Sequence, residues 1–290
     1  MKSNYFLVVN KEVGYTSRDV VNIVSKIIGT KKIGHTGTLD PLAKGVLVLC
    51  VNKYTSLSEL VTSYDKEYAA SMVLGIETDT LDITGNEVKR KDISLISDEQ
   101  IKNVFAYFNG RTYLQEVPLY SAVKINGHRL YEYARNNIKV DLPKREVTIY
   151  NIEILDISRI NENIVIKFKT KVSKGTYIRS LIRDIAYYLD NYAVMSELTR
   201  TKQGVFDIKD SYTIDDIKSG NYATLKLEDV TSINKIPVLE EKLLKKISNG
   251  AILENLDYPF DLVLFVNSNN EDIAIYKKSD VNKWTLYKML

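Results

Sequence analysis

The sequence is poor in the residues on which disulfide, zinc and thiol chemistry depend. Its 290 residues include one cysteine, Cys50, and two histidines, His35 and His128. A single cysteine excludes an intramolecular disulfide framework, and three such residues cannot assemble a Cys/His zinc cluster. Cys50 lies in the apolar run GVLVLCV, which favours a buried, inert thiol over a reactive one. We therefore expect no metal and no thiol mechanism.

Long apolar runs and a strong charge of one sign are also missing. No segment approaches the roughly 18 apolar residues of a membrane helix, and the first residues lack the features of a signal peptide. Because 40 basic and 37 acidic residues give a net charge of +3, a surface for a polyanion would require local clustering. We expect a cytoplasmic globular protein, for which 44% hydrophobic residues can supply the core.

Helix and strand patterns alternate without a regular βαβ rhythm. Strands are predicted at YFLVVN, GVLVLCV, KEYAASMVLG and NIVIKFKTK, and helices are predicted after the caps Ser17 and Ser97. Residues 163 to 171 have a period of two, with apolar side chains on one face and lysines on the other. Arg179 and Arg183 lie four residues apart and should share a helix face. This mixture predicts an α+β fold.

The last part of the chain has a different pattern. Residues 205 to 235 are mostly polar, and residues 236 to 290 contain the β-like stretches FDLVLFV, EDIAIYK and WTLYKML. We therefore predict a large domain over residues 1–235 and a small β-rich domain over residues 236–290. A unit as small as the second has only a marginal core of its own.

One loop, GHTGTLDPLAKGVL at residues 34 to 47, gathers turn formers around a histidine and an aspartate. Glycine adopts backbone angles that other residues avoid and Pro41 fixes its own, so this loop has a defined shape. Glycines also let a ligand approach the backbone, which suits a binding loop. From these residues alone, Asp40 is either a turn-forming carboxylate or a functional one.

Five segments together resemble the TruB family of tRNA pseudouridine synthases. In family order, they are GHTGTLDPLAKGVL, KEY at 66–68, TDTLD at 78–82, PLYSAVKINGHRLYEYAR at 118–135 and SKGTYIRSLIRDI at 173–185. The resemblance implies the pseudouridine synthase fold, with a mixed, mostly antiparallel sheet flanked by helices and loops. It also implies that the T-loop uridine at position 55 of tRNA is flipped out and isomerised to pseudouridine.

That reaction breaks the bond between the base nitrogen and C1′, turns the uracil and rejoins it through C5. No atoms are gained and no electrons change hands, so no cofactor is needed. The resemblance implies the tRNA T stem-loop as partner, with no obligate protein partner, and we expect a monomer. Family members usually end in a PUA or PUA-like RNA-binding domain, and here the length and strand content of residues 236–290 fit one.

The family pattern places the catalytic aspartate at Asp40. An ionised carboxylate can stabilise or capture the positive charge that develops when a glycosidic bond breaks. Both attack at C1′ and removal of a C2′ proton to give a glycal need Asp40 ionised, and the sequence leaves both routes open. The resemblance pairs Asp40 with Arg179, and an adjacent cation favours a charged carboxylate.

The resemblance also implies a pocket for the extruded base. Tyr68 matches the tyrosine that stacks on the uracil, Tyr177 matches a second active-site tyrosine, and Leu198 matches a leucine of the pocket wall. Flat aromatic faces suit a detached base that must rotate in its plane. His35 matches a histidine beside the flipped nucleotide, or else holds its own loop. Asp82 matches a hydrogen-bonding residue on the RNA side, or else caps a turn.

Basic side chains near these motifs are candidate phosphate contacts, which add salt-dependent affinity without sequence preference. They are Lys31, Lys32, Lys167, Lys169, Lys171, Lys174 and Arg183. A row of lysines on a strand can equally be a solvated face.

Two other functions remain open from the sequence. The chain could be an RNA-binding module or a tRNA-folding chaperone on the same scaffold, although the intact set of Asp40, Tyr68, Tyr177 and Arg179 argues against lost catalysis. It could also hydrolyse a nucleoside or sugar through Asp40, which the lack of a clear second general acid disfavours.

Overall fold

The computed structural model describes residues 3–160, 163–280 and 282–290. The strands are β1 (Tyr5–Lys11), β2 (Ile33–His35), β3 (Lys44–Val51), β4 (Lys66–Leu74), β5 (Ile76–Thr78), β6 (Glu87–Arg90), β7 (Thr112–Glu116), β8 (Lys124–Ile125), β9 (His128–Arg129), β10 (Lys144–Ile160), β11 (Asn163–Val172), β12 (Ala193–Gln203), β13 (Phe206–Asp207), β14 (Asn234–Pro237), β15 (Leu253–Glu254), β16 (Leu262–Val266), β17 (Asp272–Asp280) and β18 (Lys283–Met289). The helices are α1 (Ser17–Ile28), α2 (Ser58–Thr62), α3 (Asp98–Phe108), α4 (Leu130–Arg135), α5 (Ile178–Tyr188), α6 (Ile214–Lys218), α7 (Leu227–Val230) and α8 (Glu241–Ser248).

A large mixed sheet organises the first two thirds of the chain. Its main path runs β1-β3-β12-β4-β11-β10-β7, with β2 added beside β3 and β13 beside β12. β3 and β12 pair in parallel, and the other neighbours pair antiparallel. Helices α1, α3 and α5 bury their apolar stripes in one cluster against this sheet. The predicted α+β fold with a mostly antiparallel sheet is confirmed.

The strand patterns explain which faces are buried. In β11, Ile164, Ile166 and Phe168 are buried, whereas Lys167, Lys169 and Lys171 are exposed, as the period of two predicts. In β3, Leu47 and Leu49 join the cluster under the helices, whereas Val46, Val48 and Cys50 join a second cluster behind the sheet. The continuous run GVLVLCV therefore fits a strand that is buried on both faces. Burial raises the pKa of the Cys50 thiol to about 12, so this thiol is inert.

The two predicted helix caps have different outcomes. Ser97 and Gln100 form the predicted capping box of α3. The prediction for α1 is wrong by one residue, because Thr16 caps this helix with Asp19 and Ser17 is its first residue. The Ser17 hydroxyl is thereby left to bond elsewhere, as described below.

A five-stranded sheet, in the order β14-β16-β17-β18-β15, closes the described part of the chain. It begins at Asn234, so the predicted division between residues 235 and 236 falls inside β14. The sheet has an apolar cluster of its own around Trp284 and Tyr276. Its other face is not separate from the large sheet, because Leu264 and Val266 pack in the cluster behind β1 and β3.

A buried hydrogen bond reinforces this junction. Tyr54, which follows β3, is fully buried and donates its hydroxyl hydrogen to Oδ2 of Asp272 in β17, at 2.7 Å. Burial and the neighbouring carboxylate raise the pKa of Tyr54, so the phenol stays protonated. The two sheets thus share both apolar packing and a polar contact. None of the described helices has the length and apolarity needed to cross a membrane.

Gly45 in β3 provides a test of the parallel pairing between β3 and β12. Its φ is +101°, and a Cβ there would lie 2.2 Å from the carbonyl oxygen of Arg200. We expect Gly45→Ala to lower the free energy of unfolding by about 3 kcal/mol, because backbone strain and a clash with main chain add together. Urea denaturation measures this loss.

Gly14→Ala is the matched control. Gly14 has a similar φ of +95°, but a Cβ there would meet no atom within 4 Å. Only the strain remains, so we expect a loss of about 1 kcal/mol. Equal losses in the two variants would contradict the close approach of β12 to Gly45.

Candidate active site

A cleft of about 780 Å³ brings together the predicted catalytic residues and two of the residues predicted around the base. It is lined by Asp40 from the loop before β3, Tyr68 from β4, Tyr177 and Arg179 from the start of α5, and Leu198 from β12. These five residues come from four separate stretches of sequence and meet on one concave surface. The structure therefore brings together the predicted aspartate, arginine, tyrosines and leucine.

The centre of the cleft is an ion pair between Asp40 and Arg179. Nε of Arg179 lies 2.9 Å from Oδ2 of Asp40. The Arg179 side chain is 6% exposed and that of Asp40 is 35% exposed, so the carboxylate opens to the cleft while the guanidinium lies beneath it. A charge-assisted contact of this length is among the stronger polar interactions in proteins.

Backbone carbonyls hold the Arg179 guanidinium in place. One terminal nitrogen donates to the carbonyl oxygen of Thr80 at 2.8 Å, and the other donates to that of Tyr120 at 3.0 Å. Both carbonyls belong to loops that carry the TDTLD and PLYSA segments. Since Nε, Nη1 and Nη2 each have an acceptor, the orientation of the guanidinium is fixed before a ligand arrives.

Ser17 and Ala43 shape the loop around Asp40. The Ser17 hydroxyl accepts from the backbone N–H of Leu39 at 2.8 Å and donates to its carbonyl oxygen at 3.1 Å. The backbone N–H of Ala43 donates to the carbonyl oxygen of Asp40 at 3.0 Å. The residue that was predicted to cap α1 therefore anchors the residue that precedes Asp40.

Two buried polar side chains of β12 complete this support. Arg200 donates from Nε to the carbonyl oxygen of Val46 at 2.7 Å and from Nη2 to that of Gly37 at 3.0 Å. Gln203 donates to the carbonyl oxygen of Thr36 at 2.9 Å. Sequence reasoning missed both residues. A signal was present, since Arg200 lies two residues after Leu198 and so shares its strand face.

The predicted base-binding residues form the walls of the cleft. Tyr68 is 8% exposed and Leu198 is 7% exposed, on neighbouring strands β4 and β12. Tyr177 is half-buried at the N-terminal end of α5. Burial raises the pKa of the Tyr177 hydroxyl, and the positive charge of Arg145 offsets part of this rise. Tyr177 thus offers a neutral phenol beside the Asp40 carboxylate.

A buried glutamine that the sequence did not reveal fixes the start of α5. Gln115 in β7 is 1% exposed, and its Oε1 accepts from the backbone N–H of Tyr177 at 2.8 Å. Its Nε2 donates to the Tyr113 hydroxyl at 2.9 Å, and that hydroxyl donates to Oδ2 of Asp184 at 2.9 Å. This chain of bonds sets the position of the helix turn that carries both Tyr177 and Arg179.

Two of the residues predicted beside the extruded base do not line the cleft. His35 is half-buried in β2, where burial and the charges of Arg18 and Arg200 lower its pKa, so its imidazole is neutral. Its Nδ1 is buried and has no hydrogen-bond partner within the described ranges. Asp82 is 6% exposed, and its carboxylate accepts three bonds inside its own loop, one from Thr80 and two from Thr84. Its contacts are those of the turn-cap alternative.

Some of the predicted phosphate contacts lie in or near the cleft and others do not. Lys174 lines the cleft, and Lys171 lines a smaller pocket of about 370 Å³. Lys31 and Lys32 lie outside the cleft; Lys32 instead lines a cavity with residues of the small sheet. The prediction for Arg183 is wrong, because this residue is buried.

The Arg183 guanidinium forms ion pairs with two acidic side chains. Its Nη1 lies 3.1 Å from Glu116 and its Nη2 lies 2.8 Å from Asp184. Arg183 therefore forms ion pairs inside the protein and is not free to contact phosphate, although it shares the predicted helix face with Arg179.

Arg145 and Lys66 are cationic residues of the cleft that the sequence did not single out. Burial lowers the pKa of Lys66 to about 8, and its ammonium donates to the carbonyl oxygens of Thr62 and Tyr64. Across the described residues, no group of three or more His, Cys, Asp or Glu could hold a metal ion.

A comparison with known protein families identifies the family to which the chain belongs. The model of the TruB family pseudouridylate synthase N-terminal domain matches residues 25–178, which is more than half of the 290 residues. The chain belongs to the TruB family. The resemblance of the five sequence segments is thereby confirmed.

TruB relatives match this chain over most of its length. The tRNA pseudouridine synthase B of Staphylococcus saprophyticus subsp. saprophyticus is 39% identical over 291 residues, with 94% of each chain covered. That of Bacillus subtilis is 39% identical over 284 residues, covering 95% of this chain and 90% of the relative. That of Caldanaerobacter subterraneus subsp. tengcongensis is 40% identical over 248 residues, covering 84% of each.

Solved structures show the same fold. A chain from the archaeal box H/ACA sRNP Nop10–Cbf5 complex matches with a TM-score of 0.68 at 24% identity, covering 98% of this chain and 85% of that chain. A chain from an H/ACA RNP bound to a substrate RNA containing 2′-deoxyuridine matches with a TM-score of 0.67 at 24% identity, covering 98% and 84%. The pseudouridine synthase fold expected for a TruB member is confirmed.

Gln115→Met tests whether this glutamine positions the α5 turn of the TruB site. Methionine keeps the length and volume but cannot accept from the Tyr177 N–H, so Tyr177 and Arg179 lose their fixed placement. We expect turnover of a T stem-loop RNA to fall about tenfold, because small displacements of catalytic groups are costly. Affinity for the RNA should change by less than about twofold, since phosphate contacts supply most of it.

Gln100→Met is the control, because Gln100 only caps α3 on the surface. It should leave turnover unchanged. A Gln115→Met enzyme that turns over at the normal rate would show that this bond does not position the site.

Proposed function

We propose that the protein isomerises the T-loop uridine at position 55 of tRNA to pseudouridine. The observation that carries this proposal is the Asp40–Arg179 pair, 2.9 Å apart in a cleft walled by Tyr68, Tyr177 and Leu198. Relatives about 40% identical over most of the chain are named tRNA pseudouridine synthase B, which supports tRNA as the substrate.

We assign the chemistry at the ribose to Asp40. Its Oδ2 is held by Arg179, and we assign the other oxygen, Oδ1, to the sugar. The guanidinium stabilises the ionised carboxylate, which either attacks C1′ or removes the C2′ proton. In the first route the bond from the uracil nitrogen to C1′ breaks as the Asp40 ester forms, and the ester bond breaks when C5 attacks C1′. In the second route the same nitrogen leaves as the C2′ proton is removed, and C2′ regains a proton when C5 adds to C1′. Both routes end with loss of the C5 proton and protonation of the free ring nitrogen, so no atom is gained or lost.

The cleft walls suit the rotation of the detached uracil. The Tyr68 ring offers a face for stacking, and Leu198 adds apolar surface beside it on the neighbouring strand. In this proposal Tyr177 lies between the base and the carboxylate. Stacking allows a base to turn in its plane, whereas several fixed hydrogen bonds would hold it. Extrusion of the base from the RNA costs a few kcal/mol, and contacts in the cleft must offset that cost.

Basic residues on the rim supply a path for the RNA backbone. We assign phosphate contacts to Lys174, Arg145 and Lys171, which line the cleft or the pocket near it. Contacts of this kind would hold the T stem-loop without reading its sequence. We propose that the small carboxy-terminal sheet, from Asn234 onward, is a PUA-like RNA-binding unit, and that the enzyme acts as a monomer in the cytoplasm.

Asp40→Asn tests the proposed function. Asparagine keeps the shape but removes the charge, so pseudouridine formation in a T stem-loop transcript should fall by about three orders of magnitude or more. RNA affinity should stay within about threefold, since phosphate contacts dominate it. Nucleoside analysis of the digested RNA measures the product.

Glu146→Gln is the matched control, because Glu146 is an exposed carboxylate that lines the same cleft. It should retain nearly full activity. Release of free uracil by the unmodified enzyme would indicate a hydrolase instead. RNA binding without any product from the unmodified enzyme would indicate a binding module or chaperone.

Tyr68→Leu tests the stacking role. Leucine fills part of the buried volume but has no aromatic face, so we expect turnover to fall at least about a hundredfold while Tyr68→Phe stays within about tenfold. Single-turnover rates at saturating RNA measure the chemical step. A normal rate for Tyr68→Leu would remove Tyr68 from contact with the base.

A further inference from the structure

The cleft has a wall that the catalytic residues do not explain. Besides the large-sheet residues, its lining includes Tyr287, which belongs to β18 of the small sheet. Glu59 and Leu60 of α2 also line the cleft, and Nζ of Lys288, the residue after Tyr287, lies 3.4 Å from the Glu59 carboxylate. The small sheet therefore reaches the catalytic cleft itself beside α2.

The strand pairing around Tyr287 is irregular. In the ladder between β17 and β18, Ile275 pairs with Lys288 and Tyr276 pairs with Leu286, so Tyr287 is the extra residue of a β-bulge. A bulge redirects a side chain out of the regular alternation of a strand, and bulges are frequent beside active sites. Here the redirected side chain is an aromatic ring in the cleft wall.

The ring is available to a ligand and is close to a cation. Tyr287 is 37% exposed, and Nζ of Lys288 lies 5.6 Å from the centre of its ring. In the same sheet the aromatic residues Tyr276 and Trp284 are fully buried in the core. An exposed aromatic face beside a lysine is the arrangement with which proteins bind unpaired nucleotides, by stacking and by attraction of the backbone.

The sheet that carries this ring is held against the sheet that supports Asp40. The small sheet packs against the large sheet through a shared apolar cluster and through the bond from Tyr54 to Asp272. A nucleic acid strand with one nucleotide in the catalytic pocket therefore lies in a cleft whose wall includes this ring. This reasoning rests on the proposed function, because it takes RNA as the occupant of the cleft.

We propose that Tyr287 is a substrate-binding residue, whose ring stacks on an unpaired base of the RNA loop that neighbours the extruded uridine. It takes no part in the chemistry at the ribose. Its contribution is to affinity, and it ties the carboxy-terminal sheet to recognition of the same loop on which the catalytic domain acts.

Tyr287→Ala tests this proposal in the full-length protein. Loss of one base stack should raise the Kd and KM for a T stem-loop transcript at least about fivefold, while kcat at saturating RNA stays within about twofold. The dependence of log Kd on log salt should keep its slope, because no phosphate contact is removed. Tyr287→Phe keeps the ring and should bind within about twofold of the unmodified protein.

Leu286→Ala is the control on the same strand, since Leu286 is equally exposed but does not line the cleft. It should leave Kd and KM unchanged. Thermal unfolding of each variant checks the fold, and Tyr287→Leu, which keeps apolar bulk, replaces the alanine variant if that one unfolds early. A Kd within twofold for both Tyr287→Ala and Tyr287→Leu, or a Tyr287→Phe variant as weak as alanine, would overturn the proposal.

Abasic substitutions in the RNA loop identify the stacked base. Removal of that base should weaken binding to the unmodified protein at least about fivefold but should not weaken binding to Tyr287→Ala further, because the two changes delete one contact. Additive losses at every loop position would overturn the proposal. If the unmodified protein binds the loop through Tyr287 yet forms no pseudouridine, the proposed function fails and this inference stands.

Discussion

The contact between Asp40 and Arg179 is the interaction on which the rest of the site depends. A carboxylate that must stay charged in a partly enclosed cleft needs a cation beside it. That cation should already be held in place by other hydrogen bonds, so that no free energy is spent to position it when a ligand binds. Arg179 meets this need because two backbone carbonyls take its remaining nitrogens, so the charge cannot swing away toward solvent. The arrangement is electrostatic preorganisation, in which the field is built during folding instead of during the reaction.

The surrounding framework holds the backbone of the loop that carries the carboxylate. Arg200 and Gln203 reach from β12 to backbone carbonyls of the loop that carries Asp40, and Ser17 reaches it from α1. The loop has little regular structure, so its backbone groups require partners from elsewhere in the fold. Polar side chains that are buried in a sheet thus serve the precision of the loop as well as the stability of the core.

The sequence predicts the secondary structure and the central residues of the cleft better than it predicts the residues that hold them in position. Strand periodicity identifies β11, and the five segments contain four of the residues that meet in the cleft, namely Asp40, Tyr68, Tyr177 and Arg179. Local sequence patterns do not identify Gln115 and Arg200, because each residue bonds to a backbone group that is distant in sequence. Arg183 shows the reverse error, since helical spacing places it beside Arg179 but cannot reveal that Glu116 and Asp184 occupy it.

The junction between the two sheets has a consequence for how any ligand must enter. With a continuous apolar layer and the Tyr54–Asp272 bond between them, the sheets cannot hinge open without exposing packed surface. The distance between the ion pair and the cleft wall that contains Tyr287 is therefore set by the packing of the two sheets. A molecule that contacts both must match this distance, so any deformation that binding requires falls on the nucleic acid and not on the packed sheets of the protein.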